Sequence, residues 1–271
     1  MTAPAALARR PGLPRAGTAA ALLAALVVWV ALLGPVITLL AHLSPASFLD
    51  ALRRPGALQP LLTSVLASLL ALGVIILAGT PLAYLLARGR LPWNRVFEVG
   101  MLLPLLTPPL VVGLLLVFMV GPATPIGGVL GHLHLTAADT FFALVVAELY
   151  EAVPYYVLGA EAAFAAVDPE LEQAASLLGD SRGRTLRRVT LPLAAPGLAS
   201  ALAVTWARAM GAFGAVLIIA YHPFGLPLQI WTTLQETGLN SALPFALVLL
   251  LVALPLPVAA YAWSARARRR L

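Results

Sequence analysis

The residues best placed for chemistry are three charged side chains within apolar stretches of the chain, Glu148, Glu151 and Arg208. A central arginine costs about 2.5–3.5 kcal/mol on membrane-insertion scales, so Arg208 is expected to face a helix bundle or water and to have a partner. Counting inward along the two apolar stretches places both glutamates near the depth of Arg208. The sequence therefore predicts an interhelical ion pair between Arg208 and Glu148 or Glu151.

Two roles are open for this ion pair. Paired charges in membranes often serve only to hold helices together, and this interpretation is favoured. Alternatively, Arg208 offers its fork of hydrogen-bond donors to a tetrahedral oxyanion on a permeation path. If the pair only holds helices, Arg208→Gln should impair assembly and leave ion selectivity unchanged. Loss of selectivity with normal assembly would contradict that interpretation.

The residue types present exclude several other chemistries. All 17 basic residues are arginine, so the chain has no lysine for a phosphate-binding loop or a Schiff base. The segment most similar to a phosphate-binding loop, residues 179–185, is one residue short and has Arg where Lys is required. Cysteine is absent too, which removes disulfides, thiolate metal sites and cysteine nucleophiles. We therefore expect no ATPase motif and no catalytic residue, and no cofactor or metal bound by this chain.

The four histidines fall between the apolar stretches, at positions 42, 132, 134 and 222. His132 and His134 could bind a metal, but without further ligands a solvated or partner-facing pair is expected. An intramembrane protease would need its base or its metal ligands within the spans, and no predicted span contains His or Cys. This placement argues against a membrane enzyme.

The composition indicates a membrane protein. Of 271 residues, 61% are hydrophobic and 10% are charged, with a mean hydropathy of +0.95, which leaves too little polar surface for a soluble globule. Crossing the hydrocarbon core takes about 20 mostly apolar residues. We predict an all-α integral membrane protein, a six-span helical bundle with a membrane domain at 18–263 between tails at 1–17 and 264–271. The spans are predicted at about 18–41, 61–87, 99–120, 141–160, 196–220 and 243–263.

The arginines indicate the orientation of the bundle. Counted loop by loop, fourteen lie on the side of the two termini and two on the other side, with Arg208 inside a span. Because cytoplasmic loops are enriched in basic residues, both termini are predicted to be cytoplasmic. One proline-rich stretch, residues 103–109, falls inside the third predicted span, where a bent or pore-facing helix and an ordinary packing kink are both open.

The cytoplasmic stretch 168–192 has the signals of a short amphipathic helix. Asp168 is a good N-cap, Pro169 suits the first helical position, and Gly179 can end the helix. One apolar face is predicted from Leu171, Ala174, Ala175 and Leu178, and four arginines follow at 182, 184, 187 and 188. The stretch is either a docking element for an acidic partner or lipid, or a solvated loop whose arginines only set topology.

At this stretch the chain resembles the permease subunits of ABC importers. The family pattern Glu-Ala-Ala, three residues, Gly, nine residues, then an aliphatic residue, any residue, Leu and Pro aligns here with its spacing intact, although Gln173 replaces the Glu and Glu172 stands beside it. The resemblance implies the fold of a type I ABC importer permease, with 168–192 as the coupling segment that docks on a separate ATP-binding subunit. The coupling residues it implies are Glu172, Gln173, Ala174, Ala175, Gly179, Leu191 and Pro192.

Three further stretches, 142–150, 153–156 and 207–221, look like those of molybdate and tungstate importer permeases, with sulfate permeases as near relatives. The Glu usual after Ala-Arg-Ala-x-x is Ala212 here. The resemblance implies alternating-access import of an oxyanion, with molybdate or tungstate as the expected substrate. The expected location is the prokaryotic plasma (inner) membrane.

The partners that the resemblance implies are a second copy of the chain, an ATP-binding subunit, an external solute-binding protein and membrane lipid, and no nucleic acid. Two alternatives stay open. One is a permease for sulfate or another small solute. The other is an ion-coupled secondary transporter in which Glu148, Glu151 and Arg208 form a relay.

Overall fold

The computed structural model describes residues 15–54 and 56–268, so the predicted tails at 1–17 and 264–271 both lie partly outside the described residues. Within these ranges the chain is helical and contains no strand. The helices are α1 (Arg15–His42), α2 (Pro45–Arg53), α3 (Gln59–Ala87), α4 (Asn94–Leu106), α5 (Pro109–Val120), α6 (Pro125–His132), α7 (Phe141–Ala165), α8 (Pro169–Leu177), α9 (Arg182–Thr185), α10 (Leu191–Met210), α11 (Gly214–Ile219), α12 (Leu226–Thr237), α13 (Leu239–Ala253) and α14 (Pro255–Arg268).

Five helical stretches of the described chain are long and apolar enough to cross a membrane, and the number is six if the bent pair α4 and α5 counts as one span. The predicted all-helical, multi-span fold is confirmed. The five stretches are Thr18–His42, Gln59–Ala87, Phe141–Ala165, Arg182–Met210 and Leu239–Arg266. The short helices α2, α6 and α12, which connect these stretches, were not predicted from the sequence.

The third predicted span, 99–120, is not one helix. Its two halves, α4 and α5, meet at an angle of 116°. Pro108 and Pro109 lack the N–H groups that would continue the helix, and a residue before proline is pushed towards extended backbone. Thr107 and Pro108 accordingly have ψ angles of 128° and 137°. Of the two interpretations of residues 103–109, the structure shows the bent helix.

The fifth predicted span, 196–220, is displaced along the chain. The helix begins at Arg182, passes through a π-helical turn at Leu186–Thr190, and ends at Met210. Residues 211–213 are not helical, and α11 then packs against α5. The two are so close that a Cβ on Gly214 would lie 2.5 Å from Pro109 Cβ. The sequence pattern missed this end because residues 211–220 are as apolar as the helix before them.

Helix α7 is the centre of the bundle, and α3 and α10 both pack against it and also contact each other. Small residues allow α7 and α10 to approach closely, as is common between membrane helices. A Cβ on Gly159 would lie 2.7 Å from Ala201 Cβ, and one on Gly197 would lie 2.5 Å from Ala163 Cβ. Larger side chains at these positions would force the two helices apart.

Helix α1 lies at the periphery of the bundle. None of its spanning stretch is buried, and apolar side chains such as Trp29 are more than half exposed. A helix that is apolar all round, contacts α13 at one side and leaves most of its surface open fits a lipid environment or the surface of a second subunit.

Candidate functional site

The two ends of the exposed helix α8 are fixed by an N-capping aspartate and by a glycine. Asp168 caps its first turn, because its Oδ1 accepts a hydrogen bond from the Glu170 N–H at 2.9 Å. At the other end Gly179 adopts a left-handed conformation with φ of +91°. The N–H groups of Gly179 and Asp180 then donate to the carbonyls of Ser176 and Ala175, at 3.0 and 3.1 Å. This is the glycine-dependent helix ending that the sequence suggested.

A buried polar network ties α8 to the bundle. Glu172 Oε1 accepts hydrogen bonds from Arg88 Nη2 at the end of α3 and from Thr190 Oγ1 in the π-helical turn, each at 2.7 Å. The side chains of Arg88 and Glu172 are 8% and 13% exposed. Burial raises the pKa of Glu172, but the hydrogen bonds from Arg88 and Thr190, together with the positive charges of Arg88 and Arg90, outweigh burial and hold the pKa below its usual value.

The carboxylate of Glu172 is therefore engaged within the chain. A contact between this residue and an ATP-binding subunit stays a prediction. Arg88 and Thr190, which orient Glu172, were not singled out from the sequence. The available signal was the basic end of the second span, which has Arg88 immediately after its last apolar residue.

The outer surface of α8 is open and ends in two exposed leucines. Leu177 and Leu178 at its end are each 89% exposed, and Gln173, Ala174 and Gly179 are also exposed. Both leucines lie outside the membrane-spanning stretches. Leu177 was missed because it lies off the predicted apolar face, and only the end of the helix brings it beside Leu178.

The second half of the coupling segment is continuous with the fifth span. Asp180 forms ion pairs with Arg184 and Arg188 at 3.5 and 3.7 Å, both on the exposed surface. Leu191 packs against the main core, whereas Pro192 is exposed in the first turn of α10. The π-helical turn joins the arginine-rich exposed part of the segment to α10. Such turns within helices are often found at functional sites.

A polar cleft of 410 Å³ lies beside α8, between the end of α3 and α9. Its lining includes Arg88, Arg90, Gln173 and Arg182, with Glu172 as the acidic member. Three guanidinium groups against one carboxylate leave the cleft positively charged. The cleft therefore suits an acidic group from outside the chain.

The charges within the membrane are paired unequally. Arg208 Nη2 lies 2.5 Å from Glu151 Oε2, and Glu151 Oε1 accepts the Ala215 N–H at 3.3 Å. Glu148 is not part of this pair, because its Oε2 accepts a hydrogen bond from Ser68 Oγ at 2.8 Å. Of the two predicted partners, the structure thus brings only Glu151 to Arg208. Ser68, a polar residue within an apolar span, was not identified as a partner from the sequence.

Arg208 also borders a cavity of 470 Å³. The cavity lies where α4 breaks from α5 and α10 breaks from α11, with Pro108, Phe213 and Trp231 in its wall. The Arg208 side chain is 26% exposed and that of Glu151 is 2% exposed. The arginine therefore reaches the cavity while its carboxylate partner stays behind it.

The histidines form no metal site within the part of the chain that the structure describes, where no group of three or more potential ligands occurs. His222 and Tyr221 instead donate their backbone N–H groups to Asp139 Oδ1, at 3.4 and 2.9 Å. These bonds hold two loops together at the end of the bundle away from α8.

A bundle of apolar helices, with a charged cavity at two helix breaks and an exposed helix on its arginine-rich side, is typical of a polytopic membrane transport protein. The chain belongs to the family described as binding-protein-dependent transport system inner membrane components, which it matches over residues 75–271. It is thus a permease and an integral membrane protein, as predicted.

Two relatives illustrate the similarity. The chain is 41% identical to a probable molybdenum ABC transporter permease protein of Haloferax volcanii, over 89% of this chain and 88% of the relative. It is 30% identical to the molybdate/tungstate transport system permease protein of Thermococcus kodakarensis, over 75% of this chain and 77% of the relative.

Solved structures share the fold. A bacterial alginate ABC transporter, in complex with an alginate pentasaccharide-bound periplasmic protein, matches with a TM-score of 0.64 at 19% identity, over 93% of this chain and 96% of that one. An inward-facing methionine ABC transporter matches with a TM-score of 0.61 at 17% identity, over 77% and 94%. The predicted fold of an ABC importer permease is confirmed.

Proposed function

We propose that this chain is the membrane-spanning subunit of an ATP-driven importer of molybdate or tungstate. The observation that carries the substrate assignment is the 41% identity to the Haloferax volcanii molybdenum permease over 89% of this chain. An arginine that borders a cavity within the membrane supports transport of an anion. The chain itself performs no catalysis, and ATP is hydrolysed by a separate subunit.

The ATP-binding subunit docks on the outer surface of α8. Exposed leucines at the end of a helix, outside the bilayer, need an apolar groove to cover them, and Leu177 and Leu178 provide such an end. The neighbouring cleft, with Arg90 and Arg182 in its wall, receives an acidic group of the same partner. Gln173, Ala174 and Gly179 complete this surface.

The importer that we propose has two further protein partners. A second copy of the chain covers apolar surface that one copy leaves open, and an external solute-binding protein delivers the oxyanion. Both termini are cytoplasmic, on the side of α8, because the arginines at 88, 90, 95, 182, 184, 187 and 188 gather there. In the family's organisms this membrane is the prokaryotic plasma membrane.

Movement of α8 has a direct route to the cavity. The Glu172 carboxylate joins α8 to Arg88 of α3 and to Thr190, which precedes α10. Helices α3 and α10 both pack on α7, and α10 and α7 carry Arg208 and Glu151. When ATP draws two partner subunits together, the two α8 helices follow, and the bundles alternate between outward and inward access.

Uptake by the reconstituted complex tests the proposed function. Proteoliposomes containing this chain and its ATP-binding subunit should accumulate molybdate or tungstate when the loaded binding protein is outside and ATP is supplied to the ATPase side. A proton gradient without ATP should drive no uptake. Accumulation of sulfate in place of molybdate would reassign the substrate. Uptake by the chain alone in a proton gradient would replace the proposal with a secondary transporter.

Co-purification tests the docking of α8. Gly179→Trp puts a bulky residue at a φ of +91° on the docking surface, so it should leave insertion intact and abolish recovery of the ATP-binding subunit. Gly56→Trp is the matched control, since Gly56 has a φ of +78° and equally open surroundings but lies far from α8. Gly179→Asn tolerates the backbone conformation better and should retain part of the binding. Normal recovery with Gly179→Trp would contradict docking at α8.

A further inference from the structure

Two helix breaks meet at one cavity inside the membrane. The first is the bend at Thr107 and Pro108, and the second is the non-helical stretch 211–213. They are in contact, because the start of α11 at Gly214 packs directly on Pro109. Irregular backbone at membrane depth is tolerated only where protein buries it or where it lines a water-filled cavity. At this junction α5 and α11 pack on each other, and Pro108, Gly211 and Phe213 border the 470 Å³ cavity.

Arg208 brings unused hydrogen-bond donors to this cavity. A guanidinium group carries five N–H donors. In the described part of the chain Arg208 makes one ion pair, through Nη2 to Glu151. About a quarter of its side chain is exposed, and its neighbours in the cavity wall, such as Phe213, Leu217 and Trp231, are apolar. The cavity is therefore an apolar space with one source of positive charge.

The carboxylate of Glu151 is turned away from the cavity. It is 2% exposed, and its other oxygen accepts the Ala215 N–H. An entering anion would thus meet the guanidinium first and the carboxylate only behind it. The same carboxylate reduces the net attraction, so an anion could be held and then released. A pore with an unpaired arginine would hold the anion more tightly.

We propose that Arg208 is a transit site for the transported oxyanion, with Glu151 as the residue that positions the guanidinium and limits how strongly it binds. This inference rests on the proposed function. The planar fork of donors matches two oxygens of a tetrahedral dianion such as molybdate. The site therefore selects for tetrahedral oxyanions during transport, in addition to the selection made by the external binding protein.

The decisive variant is Arg208→Gln combined with Glu151→Gln. Because this double variant removes both charges together, it leaves no unpaired buried charge, and a pair that only holds helices would be replaced without loss of transport. In proteoliposomes with the full complex, we expect normal assembly and retained ATPase stimulation, with molybdate imported per ATP reduced by about tenfold. Import per ATP equal to that of the wild type would overturn the transit site.

Glu151→Gln alone gives an independent test, and it decides the matter if the double variant does not assemble. Arg208 is then retained without its counter-charge, so molybdate should be held by the complex through gel filtration, as measured by elemental analysis, and import should slow. No retained molybdate together with wild-type import would contradict the proposal. Glu148→Gln, which neutralises a buried glutamate that lines no part of the cavity, is the control and should behave as wild type.

Failure of this inference is distinguishable from failure of the proposed function. If the wild-type complex shows no ATP-driven uptake of any oxyanion, the proposed function is wrong. If the wild type imports molybdate and the double variant imports it equally well, only the transit site is wrong.

Discussion

Two arginine–glutamate pairs in this protein have the same chemistry and different surroundings. Arg88 and Glu172 join the end of α3 to α8, and Arg208 and Glu151 join α10 to α7. The shortest nitrogen–oxygen distances are 2.7 and 2.5 Å. In the first pair both side chains are nearly buried, whereas in the second the glutamate is buried and the arginine is 26% exposed.

This difference in exposure gives the two pairs different roles: the first connects helices, and the second can bind a ligand. The acceptor of the first pair, Glu172, is shared with Thr190, and its Arg88 partner also donates to the Val167 carbonyl at 3.3 Å. These hydrogen bonds hold α3, α8 and the π-helical turn in one geometry. The second pair leaves arginine donors facing a cavity, so it can engage a ligand. Position and exposure, and not the residue types, determine which of the two roles a pair can perform.

The largest effect is expected from breaking the intramembrane pair on one side only. Arg208→Gln leaves Glu151 buried without its counter-charge, which should destabilise the protein by about 3–5 kcal/mol. The measurement is the thermal unfolding midpoint and the yield of the purified complex. Removing the second charge with Glu151→Gln should restore most of the loss. A stable Arg208→Gln single variant would show that Glu151 is not held as an ion in this pair.

Breaking the joint at α8 should have a smaller and more local effect. Arg88→Gln removes one charge-assisted hydrogen bond to Glu172, worth about 1.5–3 kcal/mol, and should loosen α8 while the spans stay folded. Hydrogen exchange of residues 169–177 should increase, and recovery of the ATP-binding subunit should fall. Arg187→Gln removes an exposed arginine of the same segment and is the control. Unchanged exchange in Arg88→Gln would contradict the role of the joint.

The smallest effect is expected from pH. Because the folded-state pKa of Glu172 is lowered, its stabilising contribution is complete above the usual value of 4.5 and is lost as pH falls through the folded-state pKa. The chain has no cysteine, so spin labels at Ser176→Cys and Pro92→Cys can report the distance from α8 to the loop after α3. The distribution of that distance should stay narrow down to the usual value of 4.5 and broaden only below it. Arg88→Gln should remove this transition, and a transition that persists in Arg88→Gln would assign it to another group.

The sequence predicted what depends on local chemistry. Asp168, Pro169 and Gly179 predicted the start and end of α8, and apolar length predicted a multi-span helical bundle. The prolines at 108 and 109 raised the possibility of a bend, but its angle of 116° depends on packing against α11. The choice of Glu151 over Glu148 depends on which face of α7 meets α10. A depth count along a helix cannot supply that rotation.

The comparison of the two pairs is tested most directly by measuring molybdate imported per ATP hydrolysed, in the same proteoliposome preparation, for two charge-neutral double variants. Arg208→Gln with Glu151→Gln should keep binding-protein-stimulated ATP hydrolysis and lose import. Arg88→Gln with Glu172→Gln should lose stimulated hydrolysis and import together, because α8 no longer transmits the motion. If both double variants import molybdate at the wild-type ratio to ATP, the two pairs only hold helices together and the account is wrong.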